Sequence, residues 1–369
     1  MSASVRFEVV RVDPSGARLG RLTTAHGVVE TPAFMPVATH GSVKGVTPRQ
    51  LEELGTTIVL ANAYHLAQRP GVETMRALGG LHALMGWEGP ILTDSGGFQI
   101  KSLGELVRVD DAGIHYRSHV DGGAGRLGPE EAVAVQEALG ADVAMSLDEC
   151  LPAAAPRPAL ARAVVRTTAW AARGLAARAR AETALFGIVQ GGVDVELRAE
   201  SARSLTALDF DGYAVGGLSV GEPPAETARV AATTAALLPR DRPRYLMGMG
   251  TPGDLLRFVA MGYDLFDCVL PTRNARNGML FTREGRLMIR NAAHARDRRP
   301  VEEGCACYTC AHFSRGSLRH LVLAREMLGA QLATLHNLHF YLRLMREIRA
   351  AIAEGRFPAR AAAAGGAWA

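Results

Sequence analysis

TIVLANAY, residues 57–64, is a β-rich apolar run that meets a polar side chain, Asn62, near its C-terminal end. Working outward, the same kind of run occurs in FMPVAT (34–39), PILTDSG (90–96), DVAMSLDE (142–149), LFGIVQGG (185–192), GYAVGG (212–217), RYLMGMG (244–250) and LFDCVLP (265–271). Helical patterns separate most of them: TPRQLEELG (47–55), GPEEAVAVQEALG (128–140), the alanine-rich stretch 157–180 and TPGDLLRFVAMG (251–262). Short apolar runs alternating with helices predict an α/β chain, and eight of them predict a (β/α)8 TIM barrel, with a doubly wound sheet as the weaker alternative. An opening hairpin (VRFEVVRV, then ARLGRLTTAHGVVETP) precedes the first run, and the helix QLATLHNLHFYLRLMREIRAAIAEG (331–355) follows the last.

Polar residues stand where those runs end. Asn62, Asp94, Asp148, Gln190, Gly216 with Gly217, and Asp267 each lie at or near the C-terminal end of an expected strand, the face on which a barrel assembles its site. An aspartate before Ser-Gly-Gly, as at Asp94, also suits a plain turn. Three carboxylates at one rim are harder to explain so. A buried carboxylate is costly unless it is paired or functional, so the set points to acid–base or nucleophilic chemistry.

Three of the five cysteines crowd into GCACYTC, residues 304–310. Cys150 and Cys268 lie far off in sequence, which argues against a disulfide framework. C-x-C-x2-C spacing suits a tetrahedral zinc lacking one ligand, for which His312, His320, His336 and His339 are all candidates. The cluster follows the eighth run, so it reads as a metal-stapled insertion too short to hold itself with a core.

Of the 369 residues 41 are basic and 37 acidic, but between Arg273 and Arg349 fourteen arginines face six acids. Such a concentration favours a polyanionic partner, because cationic side chains neutralise phosphates without reading sequence; a solvated basic helix face is the plainer alternative. The start, MSASVRFEVVR, has no apolar leader core, and no run of eighteen apolar residues occurs. The expectation is a cytoplasmic protein that neither spans a membrane nor is exported, which also suits reduced cysteines.

TDSGGFQ (93–99), SLDEC (146–150), FGIVQGGV (186–193), GYAVGGLSVGE (212–222), YLMGMG (245–250), FDCVLPTRNARNG (266–278), ANAYHL (61–66), GGLHALMGW (79–87) and CACYTC (305–310) together resemble the bacterial tRNA-guanine transglycosylase family, in order from about residue 30 to 350. The resemblance implies a TIM barrel with a zinc-bearing insertion, divided as 1–272 (hairpin and main barrel), 273–328 (insertion and basic segment), 329–355 (the helix completing the barrel) and 356–369 (a flexible tail). It implies a pentosyltransferase that exchanges guanine at the wobble position of tRNAs with a GUN anticodon (those for aspartate, asparagine, histidine and tyrosine) for 7-aminomethyl-7-deazaguanine, in queuosine biosynthesis. A homodimer is implied as well.

Exchange of a base with the ribose configuration kept is most simply two inversions, which calls for one attacking carboxylate and one that handles protons. By resemblance Asp267 is the nucleophile that forms a covalent tRNA intermediate, and Asp94 the general acid/base. Asp148 would accept from the N–H edge of the base, while Gln190 and the Gly217 N–H donate to its carbonyl oxygen. Asn62, Phe98, Cys150, Leu218 and Met247 complete the base pocket, with Phe98 offering a stacking face where many members carry tyrosine. Arg273 and Arg276 would hold the neighbouring uridines of the anticodon loop. The family pattern chooses His336 to close a Cys305, Cys307, Cys310 shell around one structural Zn2+.

Rival readings are weaker. A barrel-type zinc hydrolase needs histidines converging at the strand ends, and only His40 in FMPVATH is offered. A non-catalytic partner subunit would not need both Asp94 and Asp267. The archaeal relatives usually carry further RNA-binding domains, whereas this chain reaches GGAWA soon after its final helix. A queuine-salvaging enzyme is the nearest alternative; there glycine stands at the position of Val220 and valine usually at that of Cys150.

Overall fold

The computed structural model describes residues 5–103 and 105–368. Its parallel strands are Ala33–Met35 with Val37–Ala38, then Val59–Ala61, Ile91–Thr93, Val143–Met145, Ala184–Val189, Gly212–Val215, Arg244–Leu246 and Leu265–Asp267. Each pairs with the next, and the last pairs with the first through Leu265↔Ala33, Phe266↔Phe34 and Asp267↔Met35. The first strand is broken at Pro36, which has no N–H to give, yet the Pro36 carbonyl still accepts from Leu60 N–H at 3.0 Å. The two pieces are therefore one strand, and the sheet closes as an eight-stranded barrel, as the alternation of runs predicts.

Side chains alternate across each strand. Met35, Leu60, Leu92, Met145, Phe186, Ile188 and Leu265 fill the barrel interior, whereas Phe34, Leu185, Val189, Leu246 and Phe266 pack outward beneath the helices. This parity places the site. Asn62, Asp94, Gln190 and Asp267 each stand two residues beyond an inward-facing Leu60, Leu92, Ile188 or Leu265, so they continue the interior face up to the rim.

The opening segment forms three antiparallel strands, Arg6–Val12, Arg18–Thr24 and Gly27–Thr31. Leu22 and Val29 from it join the interior core, closing the floor of the barrel. Asp142 ties floor to wall, accepting from His26 Nδ1 at 2.8 Å and from Ile91 N–H at 2.9 Å.

Two features differ from the sequence expectation. Between the third strand and the helix Pro129–Leu139 a second antiparallel sheet stands out, Glu105–Asp110, Gly113–Arg117 and Ala124–Leu127. Its Gly- and charge-rich composition hid it, because only one face is covered, by Ile100, Leu147 and Trp170. The stretch 356–369, expected as a flexible tail, carries a helix over Phe357–Trp368, with Phe357 buried at its start and Arg360 pairing with Glu347 at 2.5 Å. Alanine repetition suggests disorder, yet alanine is the best helix former and one buried aromatic is enough to dock the turn. Among the described residues no helix is long and apolar enough to cross a membrane.

Candidate active site and metal centre

The strand ends open on a cavity of about 520 Å3. Its walls bring together Asn62, Asp94, Phe98, Asp148, Cys150, Gln190, Gly217, Leu218, Met247, Asp267 and Arg273, gathered from positions more than two hundred residues apart. Arg276 does not line it. It sits on the same short helix, Leu270–Arg276, exposed and one turn beyond Arg273, which is itself exposed at the mouth.

Asp94 follows the third strand and is 7 % exposed. Its carboxylate accepts from Asn62 Nδ2, from Ala63 N–H at 3.0 Å and from Gln99 Nε2 at 2.7 Å. Burial pushes its pKa up to about 7 against the pull of the Asn62 and Ala63 donors, and the nearby Asp267 adds to the rise. A carboxyl poised near neutrality can take or give a proton.

Asp267 ends the eighth strand. It accepts from Tyr245 Oη at 2.6 Å and from Gly248 N–H at 2.7 Å, both on the same oxygen, so the other oxygen is free of these bonds. Burial raises this carboxyl above the usual range, and the two donors work against that shift. Two fixed donors hold the anion in one orientation, and the second oxygen is left available to react.

Asp148 and Gln190 form a pair on the opposite side of the set, with Gln190 Nε2 donating to Asp148 Oδ2 at 2.6 Å. Burial raises Asp148 to about 6; the Gln190 bond and the Lys101 charge oppose it. Lys101 Nζ donates to the Cys150 carbonyl at 2.6 Å, and the Cys150 thiol is pushed up to about 11, chiefly by burial. That thiol is therefore a filler of the wall and not a nucleophile at neutral pH. Gly217 has φ +65°, and a Cβ there would stand 2.3 Å from Gln190 Oε1. Glycine is required because the Gln190 amide occupies the space a side chain would need. Phe98, 52 % exposed, stands at the mouth with an open ring face.

Tyr245, Gly248 and Gln99 were missed by sequence reasoning as partners of the carboxylates. Tyr245 carried one usable signal, since it is an aromatic with a polar tip in a strand whose neighbour is the Asp267 strand. A buried hydroxyl there needs an acceptor, and the adjacent strand end supplies it.

The cysteine cluster lies beyond the eighth strand, after the hairpin Met279–Thr282 and Gly285–Met288. Cys305, Cys307, Cys310 and His336 present ligand atoms all within 4.8 Å of one another. His336 Nδ1 lies 3.5 Å from Cys307 Sγ and 3.4 Å from Cys310 Sγ, while Nε2 meets the Phe281 carbonyl at 2.8 Å. The outer contact fixes Nε2 as the donor, so Nδ1 points a lone pair at the three sulfurs, which suits a metal ligand. The residues present fit a cation: three thiols and one imidazole converge with no other positive group among them. His312 and His320 line a separate surface cavity, and His339 reaches Cys305 from outside the four close donors. Beside His336, Asn337 is fully buried and bonds three backbone positions: its Oδ1 accepts from Phe281 N–H, and its Nδ2 donates to the carbonyls of Pro271 and Met279, all within 3.1 Å. The metal group and the helix carrying Arg273 are thus fastened to adjacent residues of the long helix Met327–Ala353.

Comparison with known proteins agrees with this geometry. A family profile described as queuine tRNA-ribosyltransferase matches residues 13–364. A queuine tRNA-ribosyltransferase of Desulforudis audaxviator is 56% identical over 96% of this chain and 95% of its own length. Those of Moorella thermoacetica (54%; 96% of this chain, 95% of the relative) and Thermus thermophilus (54%; 95% and 91%) are comparably similar. Identity of this extent, carried along nearly the whole length, means that the chain belongs to the queuine tRNA-ribosyltransferase family.

Proposed function

We propose that this pentosyltransferase exchanges the wobble guanine of GUN-anticodon tRNAs for 7-aminomethyl-7-deazaguanine, by two displacements through a covalent intermediate on Asp267. The observation that carries the reading is the pair Asp94 and Asp267 on one cavity, one carboxyl poised near neutrality and the other oriented by Tyr245 and Gly248 with an oxygen to spare. Asp267 attacks the ribose carbon as the base departs; Asp94 gives a proton to the leaving base and takes one from the entering base. Asp148 accepts from the N–H edge of the base, and Gln190, held by Asp148, spends its remaining N–H with the Gly217 N–H on the base carbonyl. Phe98 stacks on the base, and Asn62, Cys150, Leu218 and Met247 shape its slot. Arg273 and Arg276, outside the slot, hold the flanking uridines, and reaching the base requires unstacking it from the anticodon loop.

The closed shell of three sulfurs and one nitrogen supports zinc as the ion, with a structural role, since no position is left for water or substrate. The same reading divides the chain into the main barrel (1–272), the metal-bearing segment (273–328) and the helix that completes the barrel (329–355), and takes the enzyme to be a cytoplasmic homodimer. Incubation with radiolabelled guanine and a GUN-anticodon tRNA tests it: label enters the tRNA, and absence of exchange sinks the proposal.

Two expected results follow from the pocket. Protonating Asp148 removes its acceptor, and its raised pKa of about 6 sets the window. The KM for guanine therefore rises as pH falls below 6, by about tenfold per unit, and is level above 7. Measuring KM at saturating tRNA from pH 5 to 8 checks this; a level profile contradicts the role of Asp148.

The second concerns base choice. Val220, half-buried, projects into the cavity wall beside the buried Leu218, on a loop whose Val220 N–H bonds Glu222 at 3.0 Å. Its methyls fill the space that a cyclopentenediol would need, while the Leu218 carbonyl is offered to an aminomethyl ammonium. Val220→Gly is expected to shrink the preference for 7-aminomethyl-7-deazaguanine over queuine by at least about tenfold, the worth of one or two methylenes in a fitted pocket. The kcat/KM of both bases on one tRNA decides it. A wild type with equal values would place this enzyme among those that salvage queuine.

A further inference from the structure

Arg198 lies on the helix Val195–Thr206, its side chain entirely buried behind the pocket wall. Its guanidinium makes no ion pair with any carboxylate among the described residues. Instead Nε donates to the Gly192 carbonyl at 2.7 Å, Nη1 to the Val189 carbonyl at 3.3 Å and Nη2 to the Gly217 carbonyl at 3.2 Å. Those carbonyls belong to the two rim segments that flank Gln190 and contain Gly217. The segments also touch directly, through Gly216 N–H to Val189 O at 3.1 Å. The packing is close on every side: a Cβ on Gly191 would meet the Arg198 backbone nitrogen at 2.8 Å, and one on Gly217 would lie 3.6 Å from Nη2.

Burying a cation with no carboxylate in contact, Glu222 acting only at longer range, is expensive, and a leucine or methionine would fill the volume of a purely structural core position at no such cost. Burial lowers this guanidinium only to about 10, so it is charged at neutral pH. Three carbonyl dipoles satisfy its N–H groups but do not cancel its charge. The fork geometry of arginine spans three acceptors on two segments, which a lysine cannot do.

We propose that Arg198 is a positioning and specificity-determining residue for the base: it fixes the Gln190 and Gly217 segments and sets a positive charge behind the part of the cavity that receives the carbonyl of a 6-oxopurine. This rests on the reading that Gln190 and the Gly217 N–H face that carbonyl. A purine with an oxygen there gains from both the aimed donors and the charge; a 6-aminopurine meets donors and a cation with an amino group and is rejected.

The test uses the full-length enzyme as wild type, Arg198→Met and Arg198→Lys. Calorimetric titration with guanine reads base affinity without turnover, radiolabelled exchange reads kcat and KM, and filter binding reads tRNA affinity. For Arg198→Met the expected result is a guanine Kd and KM raised at least tenfold, with tRNA Kd within twofold of wild type. Arg198→Lys, which keeps the charge but not the three-way span, is expected to fall between the two. If Arg198→Met does not fold, Arg198→Lys alone decides, by a guanine Kd raised at least threefold at unchanged tRNA Kd. Unchanged guanine affinity in the folded variants, or equal losses for guanine and tRNA, overturns the assignment. A wild type that binds guanine yet exchanges none into tRNA refutes the transglycosylase reading while the affinity comparison still judges Arg198.

Discussion

Asp267→Asn is expected to lower base exchange by at least roughly a thousandfold and to abolish the enzyme–tRNA adduct that survives denaturation, because an amide oxygen cannot serve as the attacking anion. Fold and binding should survive the change. The amide oxygen can still accept from Tyr245 and Gly248, which contact one oxygen only, so the donors that orient Asp267 keep a partner. Binding of tRNA, measured by filter retention, should stay within a few-fold of wild type. The comparison separates nucleophile from scaffold: an adduct on denaturing gels with the asparagine variant would require another attacking group. The thiols of the cavity are poor replacements, since Cys150 is held protonated and Cys268 higher still, both chiefly by burial, which would leave Asp94 and Asp148 as the groups to test next.

Removing the metal should have the second large effect, on stability. A chelator strong enough to strip the Cys305, Cys307, Cys310 and His336 group, or the substitution Cys310→Ser, is expected to lower Tm by roughly 10 °C or more, in keeping with the large folding contribution of structural zinc. Calorimetry paired with metal analysis should give about one zinc per chain in the wild type. The loss should extend to tRNA affinity, because Asn337, next to His336, holds the backbone at Pro271 and Met279 on either side of Arg273. Guanine affinity should suffer less, since Asp148, Gln190 and Gly217 hang from other strands. A metal-free protein with unchanged Tm would show that the four donors are held by packing alone.

How much of this was legible in the sequence follows from what each feature needs. The barrel showed because eight apolar runs bounded by helices have few other ways to bury themselves, and the rim residues showed because they interrupt those runs at one end. Roles came from resemblance, since composition cannot tell Asp94 from Asp267. Tyr245, Gly248 and Gln99 were hidden: a hydrogen bond across strands, or from a backbone N–H, leaves no mark in local pattern. Arg198 was hidden more deeply, as helix arginines are usually solvated. The choice of His336 was likewise hidden: His312 and His320 lie on two other short helices, and between His336 and His339 it is a matter of which turn of the long helix faces the sulfurs, which spacing alone leaves open.

The closure of the barrel through Asp267↔Met35 has a consequence for the order in which the enzyme comes to life on the ribosome. The strand bearing Asp267, the proposed nucleophile, finds one of its two neighbours at Ala33–Met35, so that pairing spans most of the barrel sequence and belongs among the last, entropically slow contacts. A nascent chain already displaying Asp94, Asp148 and Gln190 is a half-built cup, open along the seam where the ends will meet. Chemistry that severs a glycosidic bond in tRNA is thereby withheld until synthesis has passed Leu265 and the seam has shut.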